Sequence, residues 1–361
     1  MREAMKEQIQ SKVDAKQRLT RDEIHYLYTE ASLEDLQNLA TKVRARFHNP
    51  QEATYLIMRI INYTNVCVAK CDYCAFYRLP SSSESYVLAR DQIFAKIDEI
   101  IALGGDFVGF NGGFHPKLNI EWYQDLYASL RERYGDQIEF YGLTVAELMY
   151  LAKRWNKTYS QVAKALKSSG VRWITGGGAE ILTNEFRERH SPLKYTADDY
   201  MQAQKDIIEA GVNTTATMVI GFDESIDERI EHLLRVRDLQ DQTNGLFSFL
   251  TWTYKPEHTE WGGKEITQEE YLRHLAVCRL ALDNIKHLRT SVLTQNENAL
   301  KGLHFGANDF DIPLEDEVTQ KAGAVINKDI KVILEQAKAQ GFTPVFRPMA
   351  PSNQDARNKA S

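Results

Sequence analysis

The chain has 361 residues, 43% of them hydrophobic, a formal net charge of −6 and only four cysteines. This length accommodates one large α/β barrel with extensions, and the acidic balance without a basic stripe argues against a nucleic-acid-binding protein. No apolar run approaches the roughly 18–20 residues that a membrane span requires. Residues 1–18 are polar and charged and contain no hydrophobic secretory core, so we expect the protein in the reducing cytoplasm.

The first fifty residues predict helices ahead of an alternating pattern. Thr20 and Glu23 have the spacing of a helix capping box, and Ser32 begins a second run with apolar residues at helical intervals. The predicted domains are a helical extension at residues 1–50, a barrel at residues 51–350 and a polar tail at residues 351–361.

From residue 53 onward, short apolar runs alternate with amphipathic helical stretches. The eight predicted strands are residues 55–61, 107–110, 138–143, 171–174, 214–220, 246–253, 290–293 and 303–305. The predicted helices include residues 90–103, 120–134, 197–210, 226–242, 268–285 and 328–340. Because short apolar strands are typical of a parallel sheet covered by helices, the alternation predicts a (β/α)8 barrel of the TIM type.

Polar or glycine-rich segments follow the predicted strands. The chemistry of such barrels gathers at the C-terminal ends of the strands, so we expect these segments to form the ligand-binding end. In chain order they are residues 67–74, Asn111-Gly112-Gly113, Leu143-Thr144, residues 176–180, Gly221-Phe222, residues 254–256, residues 294–296 and residues 306–309.

Three cysteines, Cys67, Cys71 and Cys74, have the spacing C-x3-C-x2-C. This spacing puts three thiolates on one short loop, where they can bind three irons of a cubane iron–sulfur cluster and leave the fourth iron open. A disulfide framework would need an even cysteine set in a small secreted chain, and a zinc site would show paired C-x2-C units or a nearby histidine. Cys278 lies in a helical stretch and is predicted to be a buried core thiol.

Two other classes of function stay open for a cluster on these cysteines. An electron-transfer protein would supply four protein ligands and would not bind a cosubstrate at an open iron. The second class is a non-catalytic scaffold that only holds the cluster.

The cysteine spacing, with Tyr73 just before the last cysteine, resembles the signature of the radical S-adenosylmethionine (SAM) superfamily. Further segments over roughly residues 20–350 resemble one branch, which contains the menaquinone enzymes of the futalosine route and the deazaflavin cofactor synthases. These segments are residues 61–67, 74–78, 176–182, 215–218, 231–234 and 306–310. Three segments are most similar to the dehypoxanthine futalosine cyclases: Trp252-Thr253, residues 256–259, and residues 62–66 just before the first cysteine of the motif. The aminofutalosine synthases are the nearest alternative.

This resemblance implies two cofactors, a 4Fe–4S cluster on the three cysteines and SAM, whose amino and carboxylate groups chelate the open iron. It also implies an electron donor such as flavodoxin or ferredoxin and a small-molecule substrate, dehypoxanthine futalosine. In the implied reaction a 5′-deoxyadenosyl radical removes the ribose C4′ hydrogen, and the carbon radical closes a ring onto the benzoate. Loss of one electron and one proton completes the reaction, so a general base is needed.

The resemblance also implies site residues. Gly112-Gly113 stand where the family has a Gly-Gly-Glu element, but Phe114 replaces the glutamate, so only the backbone contribution carries over. Glu180 matches the acidic residue that holds the SAM ribose, although a carboxylate at a helix N-terminus is its structural alternative. The other SAM candidates are Arg187, Arg189 or Lys194 for the carboxylate, Tyr73 and Tyr77 for the adenine, and Thr217 and Met218 from the fifth strand.

The general base has three candidates in the predicted loops, Asp309, His115 and His258. Each has the alternative of a purely structural hydrogen bond. Trp252 and Phe114 are candidates to pack against the benzoate ring, with a place in the barrel core as the alternative for the indole.

Overall fold

The computed structural model describes residues 2–354. Residues 351–354 are helical, and the remainder of the predicted polar tail lies outside the described residues. None of the helices within the described residues is long and apolar enough to cross a membrane.

Eight parallel strands close into a barrel, which confirms the predicted fold class. The strands are β1 (Glu52–Ile61), β2 (Phe107–Phe110), β3 (Glu139–Thr144), β4 (Trp173–Thr175), β5 (Asn213–Ile220), β6 (Leu246–Thr253), β7 (His287–Thr290) and β8 (Asp309–Pro313), with a further strand β9 (Thr343–Phe346). Neighbours in the chain pair in order from β2 to β8, and β1 closes the ring by pairing with both β8 and β2. The added strand β9 pairs with the first residues of β1, below the segment that β2 occupies.

Helices surround the barrel and precede it. They are α1 (Arg2–Asp14), α2 (Arg21–Thr29), α3 (Leu33–Arg44), α4 (Arg90–Ala102), α5 (Ile120–Tyr134), α6 (Val145–Arg154), α7 (Tyr159–Ser168), α8 (Asn184–His190), α9 (Ala197–Glu209), α10 (Ile226–Thr243), α11 (Gln268–Ala281), α12 (Val292–Gln295), α13 (Glu317–Lys321) and α14 (Ile330–Ala339). The predicted capping box is present at α2, where the Thr20 hydroxyl accepts from the Glu23 amide and the Glu23 carboxylate accepts from the Thr20 amide.

The last two predicted strands are wrong in position. Residues 292–295 form α12, and residues 303–305 belong to a 3-10 helix over Asn296–Phe305. Leu303 and Phe305 are apolar because they pack in the core outside the barrel. Strand β8 was not predicted because its two core residues, Phe310 and Ile312, alternate with aspartates and so do not form an apolar run.

This shift changes the end of the barrel to which one predicted loop belongs. Residues 306–309 lead into β8, so they lie at the N-terminal end of that strand and not at the ligand-binding end. Asp309 pairs in register with Thr54, near the start of β1.

Two apolar layers hold the barrel. The larger one lies between the strands and the helices, and it includes Cys278, which is fully buried as predicted. The smaller one fills the lower interior of the barrel with Leu56, Met58, Phe107, Tyr141 and Met349. The barrel is therefore closed below and can open to ligands only above this inner layer.

Candidate functional site

One cavity begins at the cysteine loop, residues 67–74, and continues down into the barrel. All three loop cysteines line it, together with interior residues such as Leu250 of β6 and Arg289 of β7. The segments that follow β2, β4 and β6 also contribute to its wall, as expected for the C-terminal end of a barrel.

Backbone hydrogen bonds fix the cysteine loop. The Cys67 amide donates to the Arg78 carbonyl at 2.9 Å, and the Val68 amide donates to the Phe114 carbonyl at 3.2 Å. All four cysteines of the chain are free thiols. Burial raises the pKa of each loop cysteine, that of Cys71 to about 12, so a bound metal is needed to keep them as thiolates.

The donor set fits a cubane cluster better than a single metal ion. Within residues 2–354 there is no group of three or more His, Cys, Asp or Glu side chains arranged around one ion. In a cubane each cysteine binds a different iron, so the three sulfurs do not converge on one point. Three thiols on one short loop therefore fit three corners of a cubane cluster.

Gly113 allows the loop after β2 to pass directly against the cysteine loop. A Cβ at this position would lie 2.4 Å from the Val66 carbonyl oxygen and 2.6 Å from Cys67 Cβ. At Gly112 a Cβ would lie 2.6 Å from the Tyr63 ring. The two glycines are thus needed for contact between parts of the chain itself, in addition to any approach of a ligand.

Glu147, the third residue of α6, is a cavity residue that sequence analysis missed. One carboxylate oxygen accepts from the Tyr63 hydroxyl at 2.6 Å and the Gly112 amide at 2.9 Å, and the other accepts from the amide and hydroxyl of Thr144. The spacing Thr144-x-x-Glu147 is a capping box that the sequence displays, whereas its contacts with Tyr63 and Gly112 arise only in the fold. Glu147 thereby holds the glycine loop from below.

Glu180 lies on the cavity wall beside Lys194. The Lys194 ammonium donates to the Glu180 carboxylate at 3.1 Å and to the Tyr73 hydroxyl at 3.1 Å. The two charged side chains are only 8% and 13% exposed. Glu180 has φ +42°, a left-handed conformation that is uncommon for a residue other than glycine and that costs conformational energy.

Of the three cations predicted for the SAM carboxylate, the fold brings only Lys194 to the cavity. The Arg187 guanidinium is buried and donates to the carbonyls of Gly178, Ala179 and Tyr195, so it supports the loop before Glu180 from behind. Arg189 lies near the surface and is paired with Asp223 and Glu228.

The other predicted contacts divide by the direction of each side chain. Thr217 lines the cavity and donates to the Gly176 carbonyl at 2.6 Å, whereas Met218 points into the outer core, so the prediction for Met218 is wrong. Side chains alternate along a strand, and two neighbours cannot both face the barrel interior. Tyr73, Tyr77, Phe114 and Trp252 all line the cavity.

The prediction of Asp309 as the base is wrong. Burial alone would raise the pKa of Asp309, but Arg347 and Arg289 lower it well below its usual range, so this carboxylate does not accept a proton near neutrality. It also lies at the opposite end of the barrel from the cysteine loop.

Neither predicted histidine lines the cavity. Nδ1 of His115 accepts from the amides of Lys117 and Leu118 and stabilises a turn outside it. His258 adopts a left-handed turn conformation, with φ +59°, and lies in an outer groove beside Tyr77.

Asp316 is the cavity carboxylate with unused hydrogen-bonding capacity. It follows β8 and caps α13, where Oδ2 accepts from the Thr319 hydroxyl at 2.8 Å. Oδ1 is buried and has no hydrogen-bond partner within the described part of the chain. Burial raises the pKa of this carboxyl group.

A closed β/α barrel with a three-cysteine loop at the C-terminal mouth of its cavity defines the architecture of a radical SAM protein. The chain belongs to the radical SAM superfamily, whose family model matches residues 61–236. A second family model, the CofH/MqnC C-terminal region, matches residues 243–359.

Curated relatives are similar over nearly the whole chain. Cyclic dehypoxanthine futalosine synthase of Halalkalibacterium halodurans is 36% identical over 92% of this chain and 90% of its own length. Aminodeoxyfutalosine synthase of Thermus thermophilus is 34% identical over 88% of this chain and 86% of its own length.

Among solved structures, methylornithine synthase (PylB) superposes with a TM-score of 0.73 at 17% identity, over 93% of this chain and 97% of its own. HydG, a maturase of the FeFe-hydrogenase, also has a TM-score of 0.73, at 14% identity, over 94% of this chain and 76% of its own. At these identities the likeness establishes the fold.

Proposed function

We propose that the protein is a radical SAM cyclase that converts dehypoxanthine futalosine to its cyclic form in menaquinone biosynthesis. The observation that carries the proposal is one cavity that joins the three cysteines, Glu180 and Lys194 at its mouth to an enclosed barrel interior. A relative with that printed function is 36% identical over 92% of the chain. We also propose a cytoplasmic location, because free thiols and an oxygen-sensitive cluster require a reducing compartment.

Cys67, Cys71 and Cys74 would hold a 4Fe–4S cluster, and SAM would bind at its open iron. When bound and reduced by an external donor such as flavodoxin or ferredoxin, this pair supplies the 5′-deoxyadenosyl radical that takes the ribose C4′ hydrogen.

Lys194 and Glu180 would bind SAM from the part of the cavity wall that they share with Tyr73. Lys194 is a buried cation that suits the SAM carboxylate, and Glu180 can accept hydrogen bonds from the ribose hydroxyls. The two side chains lie 3.1 Å apart, so one ligand with a carboxylate and a ribose can contact both. Tyr73, whose hydroxyl accepts from Lys194, and Tyr77 both line the cavity and are candidates to contact the adenine.

Asp316 would accept the proton that the cyclised ring releases. Within residues 2–354 three carboxylates line the cavity wall, of which Glu147 already accepts four hydrogen bonds and Glu180 is paired with Lys194. Asp316 keeps one oxygen unpaired, and its raised pKa brings it closer to the proton affinity that a general base requires. The cyclised radical would lose its unpaired electron to an external one-electron acceptor and its ring C–H proton to Asp316, and the bonding pair of that C–H bond would restore the aromatic ring.

The test is anaerobic turnover of substrate deuterated at ribose C4′. A cyclase must produce singly deuterated 5′-deoxyadenosine in step with cyclic product, because the radical abstracts a hydrogen. A synthase of the aminodeoxyfutalosine type would add the radical to its substrate, so its product would retain the adenosine. A product that contains adenosine, with no labelled 5′-deoxyadenosine, would show that the protein is a synthase of that type and not a cyclase.

A further inference from the structure

The closed end of the cavity is formed by Arg289, the third residue of β7. Its side chain lines the cavity and is only 4% exposed. Met58, Tyr141 and Leu250 line the same region, so the guanidinium lies among apolar and aromatic groups. A buried cation in such surroundings is costly unless an anion contacts it.

The anion that contacts Arg289 is Asp309, but most hydrogen bonds to the Asp309 carboxylate come from other residues. Arg347 donates to both of its carboxylate oxygens, at 3.1 Å and 2.6 Å, and the Thr54 hydroxyl donates at 2.6 Å. Arg289 contributes one hydrogen bond, from Nε, at 3.0 Å. The Asp309 carboxylate therefore faces two guanidinium groups, and it is Arg347 that forms the bidentate ion pair with it.

Within the described part of the chain, the terminal nitrogens of Arg289 have no carboxylate or carbonyl acceptor. Nη1 lies 4.0 Å from the Met58 sulfur, which is a weak acceptor. Within residues 2–354 Asp309 is the only carboxylate at ion-pair distance from Arg289. Asp311 also faces inward from β8, but its carboxylate accepts from the Val292 amide at 3.2 Å.

The two other cations that line the cavity within residues 2–354 serve elsewhere. Lys194 lies beside Glu180 in the proposed SAM site, and Lys255, which follows β6, lies 2.6 Å from Glu265. Arg289 is thus the cation that the cavity offers at its enclosed end.

We infer that Arg289 binds the carboxylate of an aromatic acid substrate, at the end of the substrate remote from the cysteine loop. This inference rests on the proposed function and specifies how its substrate is oriented. The reacting ribose must lie at the mouth, near SAM, so the benzoate points into the barrel. There Met58, Tyr141 and Leu250 can contact the ring, and the planar guanidinium matches a carboxylate with two parallel hydrogen bonds.

The experiment measures binding to the oxidised, cluster-reconstituted enzyme by calorimetry, under conditions without turnover. The probes are dehypoxanthine futalosine, its primary carboxamide, and benzoate. Arg289→Gln should weaken binding of the acid by about 10- to 150-fold and remove the preference for acid over carboxamide. Lys255→Gln, at the other cavity cation outside the SAM wall, is the matched control and should bind the acid as the wild type does.

Folding and the proposed function are monitored separately. An unchanged SAM dissociation constant would show that Arg289→Gln is folded and retains its SAM-binding site. Arg289→Lys keeps the positive charge but loses the bidentate guanidinium, so its affinity for the acid should be intermediate. Equal binding of acid and carboxamide by the wild type would overturn the inference without any variant, as would an equal loss in Lys255→Gln. If the wild type forms no cyclic product, the proposed function fails, whereas loss of benzoate binding in Arg289→Gln would still support the carboxylate site.

Discussion

Replacing Lys194 with methionine tests whether this lysine binds the SAM carboxylate. The side chain is 8% exposed and contacts Glu180 and Tyr73, each at 3.1 Å. Methionine preserves much of its length but removes a charge-assisted hydrogen bond to the ligand, which contributes about 1.5–3 kcal/mol. We therefore expect SAM to bind roughly 10- to 150-fold more weakly.

Glu180→Gln should cost less than Lys194→Met. The change would weaken the proposed hydrogen bonds to the ribose, but it would also remove the carboxylate that competes with SAM for the Lys194 ammonium. We expect a loss of about 1–2 kcal/mol. For the same reason the losses in the double variant should be less than additive, because the two side chains contact each other.

Anaerobic calorimetry with reconstituted, unreduced protein measures these dissociation constants directly. Arg189→Met is the matched control, because Arg189 lies near Lys194 in the chain but is paired with Asp223 and Glu228 outside the cavity. A SAM affinity that survives Lys194→Met, or that falls equally in Arg189→Met, would refute the assignment. Iron content and melting temperature establish that each variant has folded.

Three further predictions concern the cluster and the barrel interior. Cys278→Ala should retain iron and SAM cleavage and lose about 1 kcal/mol of stability. Alanine at any one of the three loop cysteines should abolish SAM cleavage. Loss of iron from the Cys278 variant alone would show that the cluster ligands are assigned wrongly. Gly113→Ala should lower the iron content per chain, because its Cβ would lie 2.4 Å from the Val66 carbonyl oxygen. Gly109→Ala is the control and should keep the wild-type iron content, because its Cβ would lie 3.7 Å from the nearest atom. Equal iron content in the two variants would disprove the steric argument. Burial raises the pKa of Asp311 to about 6, so the folded chain holds this proton where the unfolded chain has released it. The contribution of Asp311 to stability should therefore fall by about 3 kcal/mol as pH rises from about 4 through 6. In urea unfolding, the difference in stability between the wild type and Asp311→Asn should change by that amount over this range; a constant difference would contradict the shifted pKa.

The sequence by itself determined the fold class and the cluster motif, because both are written in local patterns. The cysteine spacing occupies eight consecutive residues, and β2 and β6 have the predicted limits because apolar runs mark strands covered on the outside. The capping boxes of α2 and α6 are equally local, since their hydrogen bonds join residues three apart.

The tertiary structure alone decided which side chains face the cavity. Lys194 and Arg187 are both basic residues of one segment, but Arg187 turns toward the carbonyls behind Glu180 and Lys194 enters the cavity. Strand β8 was missed because its inward residues, Asp309 and Asp311, are polar. The counter-charges of Asp309 come from β7 and from the segment after β9. Contacts between residues so distant in the chain depend on closure of the barrel, and no local pattern of hydrophobicity or spacing encodes them.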